Sequence, residues 1–356
     1  MRFKDILIRA ASLTAIMIFS SLQAIDVMAG AQIGDLDVSV AAPSCSTKEG
    51  STDEGGAEDE ATASTADRCG TYAVSLGADL SDDERSTVLQ QLGFESEIPD
   101  QNEIVSVTNE EEHRFLDGYV DSEKIGTRSL TSVKITIEKP GHGITVKTDN
   151  IDYCTEGMYR NALMTAGVKD ADVIVASPYQ SSGTAGVVGA IKAYGAASGE
   201  QMSDQAIETA AAEMMTTGKI EDEQDGTQEK ADAEAMFIWL KTQLSDSGVE
   251  VKDSEAINKL IDNGIERFEI KADDKDRDMI SGLILKWQSL GLDSEYIRQQ
   301  AEELYKNYGT DVLEKVNREI EEKVQRSAGD LVKGTLSALG RSLSEFFRSL
   351  LGQKDN

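Results

Sequence analysis

Few side chains in this sequence could do chemistry, and their spacing says what that chemistry would be. The run Glu221-Asp222-Glu223-Gln224-Asp225-Gly226-Thr227 puts acids at loop positions 1, 3 and 5 and glycine at position 6. Glu229 and Asp232 fall at positions 9 and 12. With helix signals on both sides, that is the spacing of an EF-hand calcium loop. Glu221, Glu223, Asp225, Thr227 and Asp232 would hold the ion, weakly, in the roughly 10⁻⁴–10⁻³ M range of extracellular modules. Glu at position 1, polar Gln228 at position 8 and the short Asp at position 12 depart from the motif. A solvated acidic turn is the favoured reading, and no cofactor beyond weak calcium is expected. Asp274, Asp276 and Asp278 alternate too, but lack both the glycine and the final acid.

Ser181-Ser182-Gly183-Thr184-Ala185-Gly186 joins an expected strand to an expected helix. Ser182, Gly183 and Thr184 could present backbone N–H groups to an anion there, although an ordinary cap on a closely packed helix is favoured. Acid–base chemistry by histidine has only His113 and His142 to draw on, and neither is near Cys154 in sequence. G-x-S-x-G, H-E-x-x-H, C-x-x-C, P-loop and G-x-G-x-x-G patterns are all missing from the sequence. A glycosidase-like carboxylate pair cannot be picked out among 65 Asp and Glu residues.

The elements that must position these groups fall into two halves. Over 71–200, strand and helix signals alternate. Tyr72–Ser75 is strand-like, and Ser81 with Glu84 forms a capping box for a helix to Leu92. Ile104–Val107 is strand-like and Thr108 opens another helix, its acids at the positive N-terminal end. Ser132–Glu138 and Ile144–Thr148 alternate at period two around Lys139-Pro140-Gly141-His142-Gly143, which predicts a hairpin. Thr155 caps a helix to Ala166, Asp172–Ala176 is an apolar strand, and Thr184–Ala197 is a small-residue helix. The expected fold is α+β: a small mixed sheet with helices, two strand–helix–strand units joined through a hairpin in a split βαβ-like arrangement. From 201 to 327 proline is absent and amphipathic spacing dominates, so this half is expected to be all helical, with Trp239 and Trp287 in its core.

Residues 1–31 read as a secretory signal peptide: Arg2, Lys4 and Arg9, an apolar run from Ala10 to Leu22, then Ala29-Gly30-Ala31. An uncleaved N-terminal anchor is the alternative. The expected location is secreted or extracellular, with retention at the cell envelope. Export puts the cysteines in an oxidising compartment. Cys45 and Cys69 bracket a stretch of small and charged residues within the acidic flexible segment 32–70. Either a Cys45–Cys69 disulfide closes that loop or both thiols stay unpaired. The formal charge of −30 works against nucleic acid as a partner.

The last segment, 328–356, is a basic amphipathic helix with Leu336, Leu339, Leu343, Phe346, Phe347 and Leu350 on its apolar face. That face either packs on protein, by self-association or on an envelope partner, or lies on an anionic membrane; packing is favoured.

Several phrases carry a resemblance to a known family: GADLSD from Gly77, VTNEEEH from Val107, IGTRSL from Ile125 and GITVKT from Gly143. TEGMYRNALMTAGVKDADVIVASP from Thr155 and SGTAG from Ser182 continue it. The chain resembles the YpuA-like family of secreted Gram-positive proteins, a domain of unknown function. The resemblance implies secretion and the two-part architecture, but transfers no catalytic residue. The functional expectation is a secreted, non-catalytic binding or interaction protein of the cell envelope. The alternative is a secreted hydrolase with a carboxylate- or Ser/Thr-based site in 71–200.

Overall fold

The computed structural model describes residues 68–94, 99–247, 254–305 and 315. The expected signal segment 1–31, Cys45 and the expected C-terminal helix with its Leu336–Leu350 face lie outside the described residues. In chain order the first elements are β1 (Tyr72–Gly77), α1 (Asp82–Gln91), β2 (Ile104–Val107), α2 (Asn109–Leu116) and α3 (Ser122–Ile125). Next come β3 (Ser132–Ile137), β4 (Ile144–Ile151), α4 (Glu156–Thr165), β5 (Ala171–Ser181) and α5 (Ala185–Ser198). Helices α6 (Asp204–Asp222), α7 (Thr227–Ser247), α8 (Ser254–Phe268), α9 (Asp274–Leu290) and α10 (Ser294–Tyr305) follow. The fold is α+β, a mixed sheet with helices and then a helical half, as the sequence pattern requires.

The caps that open the helices are the ones the sequence shows. Ser81 Oγ accepts from Glu84 N, and the Glu84 carboxylate accepts from Ser81 N at 2.8 Å. Thr108 and Glu111 do the same for α2, with 3.0 Å from Thr108 N to Glu111 Oε2. Each pairing satisfies two N–H groups that a helix start would otherwise leave open.

The expected hairpin between β3 and β4 does not form. The strand order is β2-β1-β3-β5-β4, with β5 inserted between the two. Apolar β5, whose Val173 and Val175 are buried, belongs in the sheet centre, whereas β4 alternates buried Ile144 and Val146 with exposed Thr145 and Lys147 and suits an edge. The β1–α1–β2 and β4–α4–β5 units each keep their parallel strands adjacent. The third strand stands between the units, not within them, so the βαβ units are not split. Pro178 lies beyond the last β3 pairing, Ser132 with Ala176, where a missing N–H costs the ladder nothing.

Helix α1 covers one face of the sheet through Val88, Leu89 and Leu92 against Val74, Leu76 and Ala176. The other face carries α4 and α5, and α6 to α10 add further layers, so that one hydrophobic core runs from Ala73 to Ala301. Trp239 and Trp287 are both in it. A fully buried polar circuit locks the layers together. Lys241 of α7 donates to Glu213 Oε1 of α6 at 2.7 Å, to the Asn161 carbonyl of α4 at 2.9 Å and to Thr165 Oγ1 at 3.1 Å. Glu213 Oε2 also accepts from Trp287 Nε1 of α9 at 2.9 Å and from Thr165 Oγ1. Every ammonium proton thus has an acceptor, the condition under which an ion pair survives burial. Burial still lowers the Lys241 pKa, with Glu213 opposing it.

Candidate functional site

Only β3 runs against the other strands, so the carboxyl ends of β1, β2, β4 and β5 share one edge. Open α/β sheets bind ligands outside such ends. Loops 77–82, 107–113, 125–130, 153–161 and 181–186 all gather there. These include most of the phrases that carry the family resemblance.

At this edge a cleft of about 460 Å³ opens between segment 118–124 and the end of α6, lined by Tyr119, Asp121, Lys124, Tyr153, Lys219, Asp222 and Glu223 among others. Lys124 Nζ sits 2.8 Å from Asp222 Oδ2 and 3.6 Å from the Tyr153 ring centroid, so carboxylate and π face hold one ammonium together. Ser182 Oγ donates to the Lys124 carbonyl at 2.7 Å and contacts Thr184 Oγ1 at 3.3 Å. Tyr159 OH donates to the Gly183 carbonyl. The Ser182–Thr184 turn is therefore a brace for segment 118–124, its hydroxyl already committed.

Behind the cleft the fold buries groups that prefer water. Glu221 is 3% exposed and its Oε1 has no hydrogen-bond partner. Burial, then the nearby Glu234 carboxylate, pushes its pKa well up. Glu234 accepts from Thr155 Oγ1 at 2.5 Å. Cys154 carries a buried free thiol, its pKa raised by burial and then by Glu221, so it is not the thiolate that nucleophilic chemistry needs.

A second buried acid lies on α2. Glu112 is 1% exposed, and burial raises its pKa to about 7, with Asp79 adding to the effect. Ser129 and His113 oppose the rise, yet neither Glu112 Oε1 nor Ser129 Oγ has a well-formed hydrogen bond. The preceding Glu111 is structural: it completes the cap and meets Lys192 Nζ at 2.7 Å. At the rim, Arg128 grips Glu84 at 2.7 Å and Tyr179 OH at 2.8 Å, holding the Glu84 pKa down to about 2.

The residues singled out by sequence are only partly brought together. Glu223 lines the cleft, Ser182 reaches it only through the Lys124 carbonyl, and Glu221 is buried one residue before the lining Asp222. The acidic loop does not close into a cage. Asp225 pairs outward with Lys271, and Asp232 is buried against Lys315 Nζ at 2.6 Å. Glu223 turns toward Asp276, and Glu221 points inward in the last turn of α6. Among the described residues no group of three His, Cys, Asp or Glu side chains could hold a metal ion. Cys69 is disulfide-bonded, and Cys45 lies outside the described residues. His142 is held away from the cleft by Asp172 Oδ1 at 2.8 Å. Glu112, Lys124 and Tyr153 were not singled out. For Glu112 the signal was there: it shares a helix face with Phe115 and Leu116, three and four residues on.

Sheet, cleft and helical half define an α+β protein with a polar cleft at one sheet edge, and no solved structure matches it. The chain belongs to the family described as protein of unknown function DUF1002, which matches residues 76–304. It is similar to the uncharacterized protein YpuA of Bacillus subtilis (strain 168), 36% identical over 231 residues, covering 65% of this chain and 77% of that protein.

Proposed function

We propose that the chain is an exported, non-catalytic binding or interaction protein of the cell envelope whose ligand contacts the cleft between segment 118–124 and α6. One observation carries the reading: the cleft is open and polar, while the groups that could attack a substrate beside it are committed or neutral. Ser182 Oγ is spent on the Lys124 carbonyl and the Cys154 thiol is buried. Export rests on the signal-peptide pattern of 1–31. Among the described residues no helix is long and apolar enough to cross a membrane. The basic amphipathic segment 328–356 supplies a second contact, with envelope protein favoured over anionic lipid. NMR of the mature chain titrated with solubilised envelope fractions tests the cleft. Shifts concentrated at 118–124 and 219–223 are expected; shifts confined to other surfaces overturn the assignment.

Glu112 favours a second reading, a hydrolase with a carboxylic acid in the 71–200 region. A buried acid titrating near neutrality suits general acid–base work. Broad hydrolase profiling separates the two. Turnover that Glu112→Gln or Ser182→Ala abolishes would replace the binding reading.

A further inference from the structure

We propose that a proton on His113 latches segment 118–126, so that one wall of the cleft is held firm when His113 is an imidazolium and loosens when it is neutral. This rests on reading the cleft as the binding site and adds its regulation. The geometry is specific. Nδ1 of His113 is 2.8 Å from Asp117 Oδ1, and Nε2 is 3.3 Å from the Gly126 carbonyl. Both partners only accept, and a neutral imidazole has one N–H and one lone pair. Either neutral tautomer therefore sets a lone pair against an oxygen. Only the doubly protonated ring satisfies both contacts.

The latched segment is bounded by glycines. It runs from Gly118 to Gly126, whose φ angles of 90° and 80° lie in the region that favours glycine. Short α3 stands between them, and its end is closed by Gly126 N donating to the Ser122 carbonyl at 2.9 Å. Ile125 anchors it in the core, and Lys124 is tied by its side chain to Asp222 and by its carbonyl to Ser182 Oγ. The Gly126 end depends on His113 and on a longer contact from Asn109 Nδ2 at 3.4 Å.

The charges around His113 are accounted for. On its own helix, Asp117 and Glu112 favour the imidazolium, and Arg114 is turned to Asp204 of α6. From α6, Glu208 is engaged by Lys286 and Tyr119; from α5, Lys192 is engaged by Glu111. The hydrogen bond to Asp117, aided by the Gly126 carbonyl, raises the His113 pKa above 6.5. The latch therefore closes as pH falls through a midpoint above 6.5.

NMR of the full chain, following the His113 ring and the backbone amides of 122–126 through a pH titration, tests this without any ligand. The ring should titrate above 6.5, and the Lys124 and Gly126 amides should follow with the same midpoint. His113→Leu should abolish that amide titration and speed exchange of those amides by about fivefold to tenfold below the midpoint. Asp117→Asn, which keeps the ring, should lower the midpoint. Amides that ignore the ring's titration, or a midpoint at or below 6.5, overturn the latch. A ligand titration that leaves the cleft untouched would sink the binding reading instead, and would not alter this one.

Discussion

Replacing Glu112 by Gln removes a carboxyl that the fold holds against its own ionisation. In the unfolded chain this acid titrates near 4.5; in the core it titrates at about 7. At about 1.4 kcal/mol per pH unit, that rise corresponds to about 3 kcal/mol. The sign follows from linkage. The folded value is raised, so the unfolded chain gives up the proton first, and stability falls as pH climbs from 4.5 to about 7 before levelling off. Gln keeps the shape and cannot ionise. The variant should match the native protein near roughly pH 4.5 and gain on it steadily, ending about 3 kcal/mol more stable near pH 8. Urea unfolding followed by tryptophan fluorescence at several pH values measures it, since Trp239 and Trp287 are both buried. The difference between the two proteins is what counts, because other acids shape both curves alike. A difference that stays constant with pH would refute the reasoning: Glu112 would then be ionised in the fold or titrating normally.

The Lys241 circuit predicts an asymmetry. Lys241→Met alone leaves Glu213 buried beside Thr165 and Trp287 without its cation and should cost about 3–5 kcal/mol. Lys241→Met with Glu213→Gln should recover most of that, which a double-mutant cycle in urea reads directly. Gly77→Ala puts a Cβ 2.3 Å from the Ser129 carbonyl oxygen, a backbone atom that cannot swing aside. About 3 kcal/mol of destabilisation is expected, visible as a lower melting temperature. Calcium up to millimolar concentration should leave Trp239 fluorescence unchanged, since Asp225 and Asp232 are engaged by lysines. The chain with and without 328–356 should float equally with anionic liposomes if that segment packs on protein, and a loss of flotation on deletion would assign it to membrane.

How much was legible in the sequence depends on the range of the interaction. Capping boxes at Ser81–Glu84 and Thr108–Glu111 are local, and the structure forms both. Strand positions followed from alternation, but strand order did not. The hairpin reading of β3 and β4 failed because it weighed only the turn between them, while apolar β5, further along the chain, competed for the same edges. Ser182 was read from its turn, and the structure made it a brace because Lys124, distant in sequence, sits over it. The acidic loop had the spacing of a cage, yet Lys271 and Lys315 draw its carboxylates apart, and no local pattern contains those lysines.

The distribution of acids joins these observations. The formal charge of −30 leaves surface carboxylates repelling one another, a strain that eases as pH falls. Buried Glu112 and Glu221 have raised pKa values, so their protonated forms are the ones the fold accommodates. Both effects strengthen the fold on mild acidification, and neither depends on the other. Glu84 is held to about 2 by Arg128 and keeps its contacts well below that window, while Glu111, its burial outweighed by Lys192 and Thr108, is lowered too. His113 gains its second hydrogen bond as pH falls through a midpoint raised above 6.5 by Asp117, and Glu112 beside it regains its proton on acidification as well. Acidification should therefore act in the same direction on the core and on the cleft wall, so binding at this edge and stability ought to change with the same sign as pH falls.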